Sequence, residues 1–234
     1  MILYVNGDSH TAGAELVNDH AFAEDDAAYG HLGRQPHPDN LVHSWCNLLA
    51  NKLNYELVCD AESASSNQRI IRTTKDYLGK NSQRLDQIFV ILQWSTWERQ
   101  EWYWQDQWFQ VNASGIDIVP KDLQSKYKQF VSQIDWRACT EQAHADIWQF
   151  HCELEDQNIK HVMFNGNSHF GSIRHLQHWQ DCYISPYLAE ETFDAVLKNN
   201  GFTTVRPNSW HFGMAAHCFW ADYMLTYLNN NSLV

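Results

Sequence analysis

Ser9 is the first residue of the chain whose type and position could do chemistry. Apolar residues 2–5 lead directly into Asn6-Gly7-Asp8-Ser9, a pattern that predicts a buried strand ending in a tight turn. Open α/β sheets bind ligands at the carboxyl ends of their strands, which is where Ser9 would lie. Its hydroxyl needs a base to become a nucleophile at neutral pH. Gly, Asp and Ser are also ordinary turn residues, so a purely structural turn is the alternative interpretation.

A candidate base stands near the other end of the sequence. His211 lies between a strand-like segment, residues 203–206, and a predicted helix over residues 212–228. In an α/β sheet this junction shares an edge with the loop that holds Ser9, so the imidazole could take the serine proton. The alternative is a structural histidine, since the chain contains 13 of them. His217 falls inside the helical pattern and is interpreted as a packing residue.

Alternating strand and helix patterns would position these residues. Strands are predicted at residues 2–5, 55–59, 87–92 and 160–165, and helices at 41–53, 67–78, 121–133, 136–157 and 189–199. Asn67 is the predicted cap of the second helix and Gly79 its stop. The alternation predicts the α/β class. We expect one domain over residues 1–234, with an inserted aromatic segment at about 93–120 that contains a hairpin over 102–111.

Composition excludes several classes of partner. The net charge is −12, from 16 Lys and Arg against 28 Asp and Glu, and the chain has no basic run of the kind that binds nucleic acid or anionic membranes. No stretch approaches the ~20 apolar residues that cross a bilayer, and no signal peptide precedes the first strand. We therefore expect a cytoplasmic protein. The six cysteines form no C-x-x-C pair, so free thiols are expected and a structural zinc site is not.

The Gly-Asp-Ser turn near the amino terminus, together with His211 near the carboxyl terminus, resembles the SGNH (GDSL-type) hydrolases. The resemblance implies a three-layer, flavodoxin-like α/β/α fold. It also implies a serine esterase or acyl hydrolase that acts on a small-molecule or glycan ester and needs no cofactor or metal. The chain is further similar to SGNH-like proteins of tailed phages, which adds a virion location to the predictions.

The resemblance assigns roles to individual residues and shows three departures from the family. Ser9, His211 and Asn208 correspond to the catalytic positions, but the family has Asp where this chain has Asn208. The oxyanion hole would comprise Ser9, Ser66 and Ser95, where the family has Gly in the second place and Asn in the third. Ser66 keeps the backbone N–H, whereas a Ser95 hydroxyl is shorter than an Asn amide. The departures leave open a non-catalytic carbohydrate-binding or virion-associated protein on the same fold.

Tryptophans crowd into residues 94–109, and aromatic faces beside a cleft are suited to bind sugars. If this segment lies beside Ser9, an acetylated carbohydrate becomes the expected substrate. The alternative is a satellite core folded over the sheet. The residues predicted to contact substrate are Asp8, His10, Asn67, Trp94, Trp97, Arg99 and Trp210.

Two polar segments carry weaker signals. His175 and His178 would share a helix face with Asp181 one step further, which makes metal-dependent hydrolysis there a third hypothesis, although we expect no metal. Residues 19–40, with Asp25, Asp26 and His31, form a long polar loop next to Ser9. Such loops are often lids or binding elements.

Overall fold

The structure is a computed structural model that describes residues 1–23, 32–113, 115 and 119–234. The predicted lid residues Asp25, Asp26 and His31 lie outside the described residues. The strands are β1 (Ile2–Asn6), β2 (Glu56–Cys59), β3 (Ile88–Trp94), β4 (Gln100–Trp104), β5 (Gln107–Val111) and β6 (Lys160–Asn165). The α-helices are α1 (Ser9–Ala12), α2 (Pro38–His43), α3 (Trp45–Leu53), α4 (Asn67–Lys80), α5 (Gln124–Ser132), α6 (Trp136–Asp156), α7 (Phe193–Asn199) and α8 (Met214–Asn230).

Four parallel strands form the central sheet in the order β2-β1-β3-β6. Every residue of β1 and β3 is buried, as expected for parallel strands covered on both faces. The chain direction across the sheet reverses between β1 and β3, and open α/β sheets bind ligands at such a switch point. The predicted fold class is confirmed: a parallel sheet lies between two layers of helices.

Alternate residues of each strand enter the two cores. Leu3 and Val5 pack with α3, α7 and α8, where Trp45 and Trp220 are fully buried. Tyr4 faces the opposite core, which α4 and α6 cover. Because side chains alternate along a strand, each strand supplies both layers.

The predicted aromatic hairpin is confirmed as the antiparallel pair β4–β5. Gln105 and Asp106 form its turn and both have positive φ, 48° and 59°, as a tight hairpin turn requires. Trp102 of this hairpin packs into a small separate core with Val111 and Tyr127. The segment therefore provides the satellite core that was the alternative interpretation.

Three local predictions are corrected by the structure. Residues 203–206 form no strand of the sheet; Thr204 makes only an isolated bridge to Phe212. Helix α4 is capped by the Ser66 hydroxyl, and it continues through Gly79 to a C-cap at Asn81. His175 and His178 lie in non-helical backbone and therefore share no helix face.

Within the described part of the chain, no helix combines the length and the apolarity that a membrane span needs.

Candidate active site

The turn that carries Ser9 is held rigidly at the end of β1. Asp8 caps helix α1 by accepting a hydrogen bond from the His10 backbone N–H (3.1 Å), and Gly13 ends the helix in the left-handed region with φ 70°. A Cβ atom at Gly7 would stand 2.6 Å from Thr11 Oγ1 and 2.9 Å from Gln93 Cβ. Only glycine therefore lets the turn approach β3 this closely. Ser9 itself is 8% exposed.

Backbone contacts join this turn to the loops that follow β2 and β3. The Glu62 N–H donates to the Gly7 carbonyl (3.2 Å). Asn67 bonds the Ser95 backbone twice: its amide oxygen accepts from the Ser95 N–H (2.8 Å), and its amide nitrogen donates to the Ser95 carbonyl (3.3 Å). The three predicted oxyanion residues thus lie on three mutually bonded loops at one edge of the sheet.

The backbone N–H groups of Ser9 and Ser66 have no acceptor among the described residues. Ser9 is the first residue of α1, and Ser66 is the N-cap of α4, whose hydroxyl accepts from the Arg69 N–H (3.2 Å). Helix N-termini leave N–H groups without intrahelical partners. Across the described residues, the N–H groups of Ser9 and Ser66 donate no hydrogen bond to the protein. They are the donors that the sequence resemblance predicts for an oxyanion.

Asp8 is the centre of a buried polar network. Its carboxylate accepts hydrogen bonds from the Gln93 amide (2.8 Å), the Ser95 hydroxyl (2.9 Å) and the Arg99 guanidinium (3.1 Å). Burial alone would raise the pKa of Asp8, but His10, Arg99 and these hydrogen bonds outweigh it and lower the pKa below its ordinary value. The carboxylate is therefore ionised at neutral pH.

The same network occupies the Ser95 side chain, which the resemblance predicts as an oxyanion donor, and also the Gln93 side chain. The Ser95 hydroxyl has one proton, and it donates that proton to Asp8 while accepting from Arg99 (2.7 Å). The Gln93 amide also donates to Asp8, and its oxygen accepts from the Thr11 hydroxyl. In this arrangement the Ser95 and Gln93 side chains anchor Asp8.

His211 is held by a carboxylate that the sequence did not indicate. Its Nδ1 lies 2.7 Å from a carboxylate oxygen of Glu15. Glu15 also accepts hydrogen bonds from the Ser209 hydroxyl and from Arg206 (2.6 Å), and the His211 N–H donates to Ser209 (2.9 Å). Since the carboxylate can only accept, Nδ1 carries the proton and Nε2 is left as the basic nitrogen.

The surroundings of Glu15 favour its charged form. Partial burial would raise its pKa, but hydrogen bonds from Ser209 and His211, together with the positive Arg206, lower the pKa below its ordinary value of 4.5. In enzymes with a Ser-His-Asp/Glu triad, an ionised carboxylate on Nδ1 orients the imidazole and stabilises its charged form.

Asn208 does not take that part in the structure. It lines the same pocket as His211 and Glu15, but among the described residues it makes no hydrogen bond to His211. The sequence resemblance predicts that the acid that orients His211 lies three residues before it, at position 208. Glu15 lies six residues after Ser9, and the only signal was a carboxylate close to the candidate nucleophile.

His10 brings the two halves of the site together. Its ring lies edge-on to that of His211, with ring centroids 5.4 Å apart, and also contacts Phe193 and Phe212. Burial lowers the pKa of His10 to about 4, so it is neutral at physiological pH. The residue that follows Ser9 therefore touches the candidate base. Within the described residues, no hydrogen bond joins the Ser9 hydroxyl itself to His211.

The tryptophans predicted to contact substrate lie in three different settings. Trp94 is fully buried in the α4–α6 core and has no surface to offer a ligand. Trp97 is half-buried and stacks on Phe170, with ring centroids 4.5 Å apart. Trp210 is 73% exposed and lines a pocket of about 560 Å³ beside His211; Ser9 is not part of that lining.

His217 has the packing role that its helical position predicts. It is buried, and its Nδ1 accepts a hydrogen bond from the Trp45 N–H (3.0 Å), which ties α8 to α3. Burial lowers its pKa to about 3, so it stays neutral.

Fold and site together define a three-layer α/β protein with a carboxylate–imidazole pair beside a serine turn. The chain belongs to a family of unknown function, DUF6071, which matches residues 27–157. The match contains Ser66 and Ser95 but neither Ser9 nor His211. No curated protein matches the chain.

Two solved structures align with nearly the full chain. A psychrotrophic esterase, EstA, from Pseudoalteromonas sp. is 10% identical, with a TM-score of 0.48 and coverage of 98% of this chain and 97% of that one. A protein of the G-D-S-L family from Desulfitobacterium hafniense DCB-2 is 14% identical, with a TM-score of 0.36 and coverage of 97% and 99%.

Proposed function

We propose that this protein is a serine hydrolase that cleaves esters, with Ser9 as nucleophile, His211 as general base and Glu15 as the acid that orients it. The observation that carries the proposal is the Glu15–His211 pair, with 2.7 Å between carboxylate and Nδ1. The pair leaves Nε2 of His211 basic, and the His211 ring contacts His10, the residue that follows Ser9. A carboxylate on one imidazole nitrogen and a serine near the other is the arrangement that activates a hydroxyl.

The reaction follows from these groups. The Ser9 oxygen attacks the ester carbonyl carbon while His211 Nε2 takes the hydroxyl proton, and the carbonyl oxygen becomes an oxyanion. The free N–H groups of Ser9 and Ser66 would donate to that oxygen. His211 then returns the proton to the departing alcohol. A water, deprotonated by the same nitrogen, cleaves the acyl-enzyme and restores Ser9.

Trp210 directs the proposal toward an acylated carbohydrate. Its exposed ring stands beside His211 in the 560 Å³ pocket, where it could stack on a sugar face. Trp94 and Trp102 give no such support because both are buried. A sugar carrying a small acyl group, such as acetate, is therefore the substrate class we test first.

A non-catalytic carbohydrate-binding or virion-associated protein is the second candidate. Two observations favour it: the Ser9 hydroxyl makes no hydrogen bond to His211 among the described residues, and the Ser95 hydroxyl is bonded to Asp8. Removal of one side-chain oxyanion donor typically costs about 10²–10³ in turnover. Such a protein would retain the Trp210 pocket and lose the acyl transfer.

Hydrolysis of p-nitrophenyl acetate by the wild type, Ser9→Ala and His211→Ala tests the proposal. We expect both variants to lose at least about 10³ of the turnover, since members of a catalytic triad act as a unit. The matched controls are Ser132→Ala and His175→Ala, two exposed residues away from the site, which should keep wild-type rates.

A serine-reactive phosphonate gives a second readout that does not depend on the choice of ester. It should label the wild type once, on Ser9, as read by peptide mass spectrometry. Wild-type hydrolysis no faster than that of Ser9→Ala, together with no labelling, would contradict the hydrolase and favour the binding protein.

A further inference from the structure

A cluster of metal-ligating side chains lies away from the serine site. His151 and Glu155 are one turn apart on α6, so both project from one face of that helix. His161 projects from β6 toward them, and Cys182 comes from the short 3₁₀ turn Gln180–Cys182. One potential ligand atom from each of the four residues lies within 4.8 Å of all the others. We propose that these four side chains bind one zinc ion.

One of two distances within the cluster already fits a tetrahedral site, and the other is about 0.5 Å too short. Zinc bonds of about 2.0–2.3 Å place tetrahedral ligand atoms roughly 3.3–3.8 Å apart. The Cys182 sulfur lies 3.7 Å from the Glu155 carboxylate, and His151 Nδ1 lies 2.8 Å from His161 Nε2. The two imidazoles would have to separate by about 0.5 Å to admit the ion.

The backbone already orients one ligand for a metal. His161 Nδ1 lies 2.8 Å from the Ile159 carbonyl, a contact in which Nδ1 must donate. Nε2, which faces His151, is therefore the unprotonated nitrogen. Metal-bound histidines characteristically donate their other ring nitrogen to a carbonyl or carboxylate in this way. Without a metal, His151 must place a proton between the two nitrogens; the ion would take the position of that proton.

The donor set favours zinc among the common cations. Two imidazoles, a thiolate and a carboxylate are nitrogen, sulfur and oxygen ligands that Zn²⁺ accepts together, whereas Mg²⁺ and Ca²⁺ prefer oxygen alone. The thiolate and the carboxylate carry two negative charges, which balance the ion. Neutral balance matters because His151 and His161 are buried, and an unpaired charge is costly there.

The place of the cluster indicates a structural role. Four protein ligands fill the coordination sphere of zinc and leave no position for substrate. His161 lies four residues before the carboxyl end of β6, or about 13 Å along the strand, and the serine turn lies beyond that end of the sheet. The ion would fasten the long connection over residues 166–186 to the edge strand, where Met163 and Tyr183 already form a bridge.

An entry path is present. Glu155, His161 and Cys182 line an open pocket of about 290 Å³ at the surface. The sequence did not indicate these four ligands because they come from three separate elements, with the spacing H-x₃-E-x₅-H-x₂₀-C. The exposed pair His175 and His178, the more visible signal, is not part of it.

Cobalt substitution tests this site directly. The purified chain is stripped with a chelator and titrated with Co²⁺, whose coordination by a thiolate produces a sulfur-to-metal charge-transfer band in the near ultraviolet. We expect saturation at one equivalent, displacement of the band by Zn²⁺, and a raised thermal midpoint with zinc, since a ligand that binds only the folded state stabilises it.

Variants identify the ligands. Cys182→Ser should abolish the charge-transfer band. His161→Gln should weaken Co²⁺ binding by at least about tenfold, because even the loss of an outer-shell partner of a ligand lowers affinity that much. The controls are Cys152→Ser, which removes a neighbouring thiol, and His178→Ala; both should retain the band. Circular dichroism confirms that each variant is folded. No band in the wild type, or a band that survives Cys182→Ser and disappears in Cys152→Ser, would overturn the proposal.

Discussion

The carboxyl edge of the sheet and the cluster beside β6 both gather polar side chains, but they arrange them differently. At the carboxyl edge, Asp8 and Glu15 are each surrounded by donors from the protein, and the N–H groups of Ser9 and Ser66 have no partner among the described residues. Beside β6, the potential ligands of His151, His161 and Cys182 face one another and a carboxylate.

The difference indicates what each region is built to meet. Donors and acceptors that are paired within the protein leave only selected atoms for a visiting molecule, which is how a catalytic site is preorganised. Four electron-pair donors that converge on each other offer a site that a metal cation can fill. The predictions below test this contrast, beginning with the largest expected effect.

Glu15→Gln should reduce turnover on p-nitrophenyl acetate by about 10⁴, the order found when the acid of a serine triad becomes an amide. The amide can donate to Nδ1 and so stabilise the wrong tautomer, and it carries no charge for the imidazolium. Asn208→Ala is the matched control and should retain turnover within a few fold. A larger loss of turnover in Asn208→Ala than in Glu15→Gln would indicate that Asn208, and not Glu15, orients His211.

Asp8→Ala should lower the free energy of unfolding by roughly 2–4 kcal/mol, because it leaves Arg99 and three other donors without their acceptor. This expected loss is smaller than the loss for a fully buried ion pair, since the Arg99 side chain is 20% exposed. Urea unfolding monitored by circular dichroism measures it. Lys198→Gln, which breaks an exposed ion pair with Asp194, should cost about 0.5 kcal/mol or less. Equal losses in the two variants would refute a central role for Asp8.

The Glu15 carboxylate should make stability depend on pH on the acid side. Its pKa in the folded protein lies below the ordinary value of 4.5. The carboxylate therefore adds stability that is complete above pH 4.5 and is lost as the pH falls through the folded pKa. We expect the unfolding free energy of the wild type minus that of Glu15→Gln to be constant near neutrality and to shrink below about pH 4.5. A difference that grew on acidification would show that the pKa is raised instead.

Chelation should leave ester hydrolysis unchanged within about twofold while it lowers the thermal midpoint. The proposed ion is about 13 Å of strand away from the carboxyl edge and has no open coordination position. Initial rates, measured well below the midpoint with and without chelator, test this. Activity lost to the chelator and restored by zinc would place the metal in the reaction and remove the distinction between the two regions.

The sequence predicted the architecture well because the signals were local. Each buried strand is a short apolar run with turn residues behind it, and the hairpin turn at Gln105 and Asp106 lies between two aromatic segments. Helix boundaries were harder. Gly79 is inside α4 because tertiary packing and the Asn81 cap outweigh the low helix propensity of one glycine.

The candidate site was predictable where a residue follows a strand and was missed where contacts are long-range. Ser9 and Ser66 were located by their strands, and His211 by its helix junction. Glu15 pairs with a histidine 196 residues away, and no local pattern records that contact. Trp94 was predicted at a cleft but is the last residue of β3, where strand alternation directs it into the core.

The distance in sequence between Glu15 and His211 has a consequence for synthesis. All four strands of the central sheet are translated by residue 165, whereas His211 is translated only 46 residues later. Under the proposed mechanism, a ribosome stalled in that interval carries the nucleophile, its acid and every central strand, but not the proposed base. Under the proposed mechanism, a nascent chain remains inert toward esters until His211 has left the exit tunnel.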